Sequence, residues 1–429
     1  MSSDTATTET VGLPEFPMTR GCPYHPPAGY EELRKEGPLA RVRLYDGRVA
    51  WVVTGYAETR QLLVDPRLSS DRTRPDFPVL VPRMAAAKLT ALVGMDPPEH
   101  DIQRRMLIPS FTVKRVNSLR PAIRRIVGEK IDALLADGRT TADLVPEFAL
   151  PVPSTVICEL LGVPYSDHDF FEQQTSRMVQ ATSTAQEASD ASAALVGYFG
   201  ELIAAKEAKP GEGLLDELIV DRLATGELER LELAFIAMFL LVAGHETTAN
   251  MIGLSVLTLL EHPEQLAELR ADPGVASGAV EELLRFLSVA DELQRVAAAD
   301  IEIGGVVVKE GDGVYLPNAA ANRSPQVFAD PDTLDVRRGT RHHLVFGYGV
   351  HQCIGQNLAR AELEIALHEL ATRIPTLRLS GPGADGGGRP MLPGGAAAVR
   401  RRQPGRCARP RTGPVRRPTD GPAGGQRPG

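Results

Sequence analysis

The sequence predicts a mostly α protein with a small β-rich lobe. Three observations carry that reading. Helical periodicity dominates from about Pro98 to Leu287. Strand signals flank it, first over Val42 to Val53 and again over Ile301 to Leu316. A last amphipathic helix opens at Gln356, behind a glycine-rich bend. At 429 residues the chain exceeds the usual single-domain size, but one large core with a minor lobe can accommodate it.

Residues 1–20 read as a loose arm. Val42 and Leu44, then Asp46-Gly47, then Val49, Trp51 and Val53 form alternating runs around a two-residue turn, a strong hairpin signal. The helical region is punctuated at Pro151, Pro153, Gly162, Pro164, Pro210, Gly211 and Gly213. Its most apolar stretch, Leu233 to Leu260, is interrupted by Gly244-His245-Glu246-Thr247-Thr248-Ala249-Asn250. Each apolar half is too short to cross a bilayer, so a soluble protein with a long central helix is expected. Strand signals return over Ile301 to Val308 and at Val314-Tyr315-Leu316. No internal repeat is visible.

Hydrophobic content of 43% and charged content of 24% are ordinary for a soluble protein, and a net charge of −8 argues against nucleic acid. Cys22, Cys158, Cys353 and Cys407 show neither disulfide nor zinc spacing, and Cys22 and Cys158 read as structural. Met1 to Thr8 lacks a signal core, which points to a reducing, cytoplasmic location. Residues 381–429 differ from the rest. They hold ten Arg and two Asp, a net of +8 that leaves −16 on the remainder, and almost no large apolar side chain. Such a segment cannot bury enough surface to offset its ordering entropy and is expected to be disordered. It is either a natural basic tail or the product of a frameshift in a GC-rich gene. The division expected is therefore 1–380 as the catalytic domain and 381–429 as the tail.

Cys353 stands between Gly347 and Gly349, which permit a sharp bend and close approach to a flat ligand, and the helix beginning at Gln356. Free N–H groups and the positive end of the helix dipole favour a thiolate there. The plainer reading is a buried structural cysteine. In the central helix, Glu246 and Thr247 put an acid beside a hydroxyl in apolar surroundings, which is costly unless the pair is used or satisfied. Thr247 can bond back to the preceding turn and, with Gly244, open a groove. Glu282 and Arg285 lie one helical turn apart, as do His100 and Arg104. Arg104, Arg105, Lys114, Arg115, Arg120, Arg124 and Arg125 form a basic run, either a solvated helix face or a docking patch for an acidic protein.

Phe346-x-x-Gly349-x-x-x-Cys353-x-Gly355 resembles the haem-ligand signature of the cytochrome P-450 family, the haem-thiolate monooxygenases. The likeness covers roughly residues 17–379 and includes the runs Val156 to Pro164 and Gln356 to Arg360. It is greatest to soluble actinobacterial members that tailor macrolides or hydroxylate steroid-like and vitamin D-like molecules. The resemblance implies haem b with Cys353 as axial iron ligand. The absence of a Cys-x-x-Cys-His motif makes its attachment non-covalent. Phe346, Gly347, Gly355, Ala243 and Gly244 match positions beside the haem, and His100, Arg104, Arg295 and His351 match its propionate contacts. Glu246 and Thr247 match the family's acid–alcohol pair, Thr247 orienting dioxygen and Glu246 relaying protons. Glu282 and Arg285 match a buried pair that holds the haem-binding loop, with Arg338 a candidate third partner.

The implied activity is insertion of one oxygen atom from O2 into an apolar small molecule, such as a macrolide, a steroid-like compound or a xenobiotic. Electrons would come from NAD(P)H through a ferredoxin reductase and a ferredoxin, since the chain shows no flavin domain or dinucleotide fingerprint. Expected pocket walls are 77–94, 178–194, 237–244 and 289–293, where Phe77, Val79, Leu80, Val81, Met84 and Leu89 suggest an apolar ligand. Two other readings stay open: a haem-binding protein without turnover because of its altered C-terminus, and a peroxide-driven peroxygenase.

Overall fold

The computed structural model describes residues 12–82, 91–138, 140–180 and 182–379. Two layers meet in it: a helical body and a small sheet lobe. The central helix, Arg230–Glu261, runs through the body and packs on helices Pro151–Leu161, Ala185–Ala208 and Gln356–Arg373. It is long and apolar enough to cross a membrane by length and composition, yet Leu233, Ala237, Met238, Leu241 and Ile252 are fully buried in the core. As expected of one long central helix, the polar run at 244–250 interrupts the apolar stretch without breaking the helix. His245 and Asn250 bond carbonyls four residues back, so their polar groups add to the helical ladder rather than compete with it.

The lobe is a five-stranded sheet in the order β1-β2-β7-β4-β3. Strand β1 (Leu39–Arg43) pairs antiparallel with β2 (Val49–Val53), so the predicted hairpin is present. The two-residue β3 (Leu68–Ser69) pairs with β4 (Glu292–Ala297), and β4 with the buried β7 (Gly313–Pro317). The single strand signal at 301–308 is a separate hairpin of β5 (Ile301–Ile303) and β6 (Val306–Val308), turned by Gly304 and Gly305 at φ +57° and +81°. Strand β4 had no clear pattern in the sequence, because Gln294 and Arg295 are polar residues on a strand that is buried.

The arm is tied down where it is described. Phe16 is buried against Tyr315, with ring centroids 5.0 Å apart, and Arg20 donates to the Leu287 and Ser288 carbonyls at 3.1 Å. A buried aromatic ring and a bonded guanidinium therefore correct the expectation of a loose segment from residue 12 onward. Residues 1–11, and the tail with its boundary at 380, lie outside the described residues. Leu80 belongs to the core under the sheet with Val42 and Val52, not to a pocket wall, and Val81 packs on that core. Met84 and Leu89 fall outside the described residues.

Two adjacent carboxylates fasten the loop that follows the sheet. Glu282, fully buried, takes Arg285 Nε and Nη2 at 2.7 and 2.8 Å, the Arg338 guanidinium at 3.2 Å and the Asp335 N–H at 3.1 Å. Arg285 also donates to the Asn322 and Pro331 carbonyls. The expected third partner is thus in place. Glu281 was not anticipated. It binds Arg360 Nε at 2.6 Å, His343 Nε2 at 2.8 Å and Arg341 Nε at 3.3 Å. Burial pushes the Glu281 carboxyl up, but the His343 and Arg360 bonds outweigh that and leave it below the usual range.

Replacing Glu282 with Ala leaves the Arg285 guanidinium buried and unpaired. The expected loss is about 3–5 kcal/mol of stability. It is measured by urea unfolding; a change below ~1 kcal/mol would contradict the assignment.

Candidate active site

The glycine bend is built by backbone necessity. Gly347 and Gly349 adopt φ of +69° and +74°. At Gly349 a Cβ would also lie 2.5 Å from the Leu63 carbonyl oxygen, so the position is closed to any side chain. The turn Gly349–His351 follows, then Cys353, whose N–H donates to the Phe346 carbonyl at 2.8 Å, then helix Gln356–Arg373. Phe346 is covered by the Arg360 guanidinium, 4.5 Å from its ring centre, which ties the bend to the Glu281 clasp.

Protein encloses Cys353 on almost every side, and yet its surface is accessible, so the thiol opens onto a recess inside the fold. Burial pushes the thiol up. The Gly355 and Gln356 N–H groups and the Arg104 and Arg360 charges oppose this without overcoming it. The helix N-terminus alone therefore does not make the thiolate, as the sequence had suggested. A metal cation bound there would supply the missing positive charge and hold the sulfur as thiolate. Ala243 and Thr247, one turn apart on the central helix, are likewise accessible although the helix is core. Thr247 Oγ1 donates to the Ala243 carbonyl at 2.9 Å, the back-bond expected.

Space, not backbone freedom, is what position 244 needs. A Cβ at Gly244 would lie 2.9 Å from Ile157 Cδ1, so the glycine lets helix Pro151–Leu161 close on the central helix. Beside it, Glu246 is raised by burial and further by the charge of Glu172. His245 Nε2 is 3.9 Å from Glu246 Oε1, but burial holds the imidazole at about 4, and the two do not form an ion pair near neutrality.

The predicted cationic residues converge. His100 and His351 have ring centroids 4.1 Å apart, Arg104 donates to the Gln352 carbonyl at 2.6 Å, and Arg295, on β4, lies in the buried interior. Burial, with Arg295, His100 and Arg104 nearby, pushes His351 down to about 3. Burial and the neighbouring Arg72 lower Arg295 to about 10. Arg72 itself, lowered by burial, was missed by the sequence reading, because a single Arg in Ser70-Asp71-Arg72 looks like surface. Among the described residues none of these three guanidinium groups has a carboxylate partner within ion-pair distance. Arg104 and Arg295 bond only the Gln352 and Gln294 carbonyls, and His351 Nδ1 has no hydrogen-bond partner. One buried and two half-buried guanidinium groups left this way call for anions. A planar cofactor with two carboxylates and a metal would satisfy both the unpaired guanidinium groups and the accessible thiol, the requirement of a haem-thiolate protein.

Comparison with known proteins agrees. The cytochrome P-450 family model matches residues 181–373. A vitamin D3 dihydroxylase of Streptomyces griseolus is 55% identical over 385 residues, covering 89% of this chain and 94% of the relative. A pentalenic acid synthase of Streptomyces avermitilis is 56% identical over 369 residues, 86% and 91% of the two chains. The mycinamicin VIII C21 methyl hydroxylase of Micromonospora griseorubida, solved with mycinamicin VIII bound, superposes with a TM-score of 0.82 at 42% identity, covering 86% of this chain and 94% of that one. The chain belongs to the cytochrome P-450 family and is a haem-thiolate monooxygenase, an oxidoreductase.

Gly349→Ala should lower haem content and stability more than Gly226→Ala does. Gly226 has a similar φ of +76° with open space around it, so only the strain of roughly 1–2 kcal/mol applies there. Equal losses by thermal melting and haem absorbance would show that contact with Leu63 is immaterial.

Proposed function

We propose that this chain binds haem b non-covalently and uses it to hydroxylate an apolar small molecule with O2. The observation that carries the proposal is the cluster of buried His100 and Arg295 with half-buried Arg72, Arg104 and His351, whose guanidinium groups have no carboxylate of their own among the described residues. His100, Arg104, Arg295 and His351 would hold the two propionates, and Cys353 the iron. Phe346, Gly347, Gly355, Ala243 and Gly244 would border the ring. When bound, the cofactor supplies the oxygen-activating chemistry.

The chain's own residues do the rest. Thr247 carries a hydroxyl into the recess, held by the Ala243 carbonyl, and orients dioxygen or a water. Glu246, raised by burial and by Glu172, keeps its proton at a higher pH than an exposed carboxyl and can deliver it. Delivery weakens as pH rises through that elevated value. The apolar body of the central helix excludes water around them. By their names the relatives hydroxylate vitamin D3 and mycinamicin VIII or form pentalenic acid, and this range supports an apolar substrate of that size class.

Electrons come, in this reading, from NAD(P)H through a ferredoxin reductase and ferredoxin in the cytoplasm. Much of the basic run is used elsewhere: Arg120 pairs with Glu364, Arg124 with Glu369 and Arg125 with Glu129 and Glu159. The docking patch therefore narrows to Arg105 and Lys114, which are exposed with Ile102, Ile108 and Val113. They adjoin the Cys353 loop, because Arg104 bonds Gln352 and Asn357 bonds the Phe111 carbonyl. The 381–429 tail is assigned no part in this chemistry, so deleting it should leave turnover unchanged.

The test is turnover of vitamin D3 and of mycinamicin VIII by the purified holoenzyme, with ferredoxin, reductase and NADPH or with hydrogen peroxide alone. Product from the ferredoxin route supports the proposal. Product from peroxide alone makes the chain a peroxygenase, and normal haem and ligand binding without product by either route makes it a binding protein. Lys114→Glu should raise the ferredoxin KM about tenfold, less so at high salt, with the haem spectrum unchanged.

A further inference from the structure

A second carboxyl stands within charge-interaction range of Glu246. Glu172 lies on helix His168–Val179, and its Oε1 accepts a hydrogen bond from Ser154 Oγ at 2.8 Å. Ser154 and Ile157 are one turn apart on helix Pro151–Leu161, and Ile157 is the residue that fills the space beside Gly244. Next to Glu172, the Phe171 ring meets His245 edge-on with centroids 6.1 Å apart. Glu172 is thus bonded between two helices, each of which meets the turn that carries Glu246, one through Phe171 and the other through Ile157. Ser154, Phe171 and His245 are fully buried, so the inner end is dry. The outer end is wet: the side chains of His168 and Asp169 are 34% and 95% exposed.

We propose that Glu172 is a positioning residue that connects Glu246 to solvent and refills it with protons. The proposal rests on Glu246 being the acid of the oxygen site. A proton lost from Glu246 is replaced by the one on the Glu172 carboxyl, directly or across one water. The Glu172 carboxylate is then reprotonated from solvent at the His168 end. Only O–H bonds are broken and made, and no electrons move. The arrangement is specific to a pair of carboxyls, because His245 is held neutral by burial and its Nε2 has no hydrogen-bond partner.

Electrostatics agree with the geometry. Burial raises Glu172, opposed by the Ser154 bond, His168 and Lys130 and reinforced by Asp169. Cys158 and Tyr165 also face it, the first with its thiol pushed up to about 12 by burial. Glu246 is raised first by burial and then by Glu172. Two neighbouring carboxyls that both resist ionisation retain a proton between them at a pH where an exposed carboxyl has none.

The experiment follows the protonated-carboxyl infrared band of Glu246 in the 13C-glutamate-labelled holoenzyme, identified by its loss in Glu246→Gln. In Glu172→Gln the Glu246 midpoint should fall by about one pH unit or more. Exchange of its proton after mixing with D2O should slow roughly tenfold or more. Glu172→Asp should restore the raised midpoint. Ser154→Ala frees the Glu172 carboxyl without removing its charge, and should slow exchange while the midpoint stays raised; it also serves if Glu172→Gln fails to load haem. Unchanged exchange in both Glu172→Gln and Ser154→Ala overturns the proposal. If Glu246→Gln removes no band from the wild-type spectrum, the acid role of Glu246 fails, and the Glu172 link with it.

Discussion

Glu281 and Glu282, side by side in one buried helix, are the constraint on which the site depends. Glu282 gathers Arg285, Arg338 and the Asp335 N–H; Glu281 gathers His343, Arg341 and Arg360. Between them they fix the chain ahead of the glycine bend and the helix behind it. Arg360 then covers Phe346, and Phe346 receives the Cys353 N–H. Buried ion pairs of this kind are poor sources of net stability, because desolvation offsets most of the attraction. Their effect here is geometric: the loop has one low-energy position, and Cys353 is presented from it.

The same electrostatic pattern runs through the rest of the site. Carboxylates are concentrated under the loop, whereas in the wall beside Cys353 three guanidinium groups have no carboxylate partner among the described residues and His351 Nδ1 bonds nothing; His100 alone meets a carboxylate, Asp101, at 2.8 Å. Such a wall is costly in isolation and becomes favourable when an anionic cofactor completes it. The thiol follows the same logic. Its two N–H donors and two neighbouring arginines fall short of offsetting burial, so in the proposed reading the deciding positive charge would come with the iron. On the central helix and beside it the shifts run the other way: burial raises both Glu246 and Glu172, the first further through the charge of the second.

Much of this was legible in the sequence, and the reasons differ by residue. Cys353, the bend glycines and the Asp46-Gly47 hairpin are local signals, because backbone conformation limits residue choice within a few positions. Glu282 with Arg285 was readable at helical spacing, and the structure added Arg338 as expected. Arg72, Glu281 and Glu172 were not readable as functional. Each acts through partners at least 18 positions away in sequence or on another element, and a lone charged residue carries no mark of its future burial. The basic run shows the opposite failure: its spacing was plain, but half of it staples neighbouring helices. Strand β4 was hidden for a related reason, since Arg295 gives a buried strand a polar face.

The proposed chemistry of the site requires a thiolate at Cys353 to bind haem iron. The most direct measurement is the carbon monoxide difference spectrum of the reduced, purified protein beside that of Cys353→Ala. A strongly red-shifted Soret band in the wild type alone is the expected result. A band at the position of a neutral-ligand haem in both proteins would contradict it, and would mean that the recess beside Cys353 holds its cofactor in some other way.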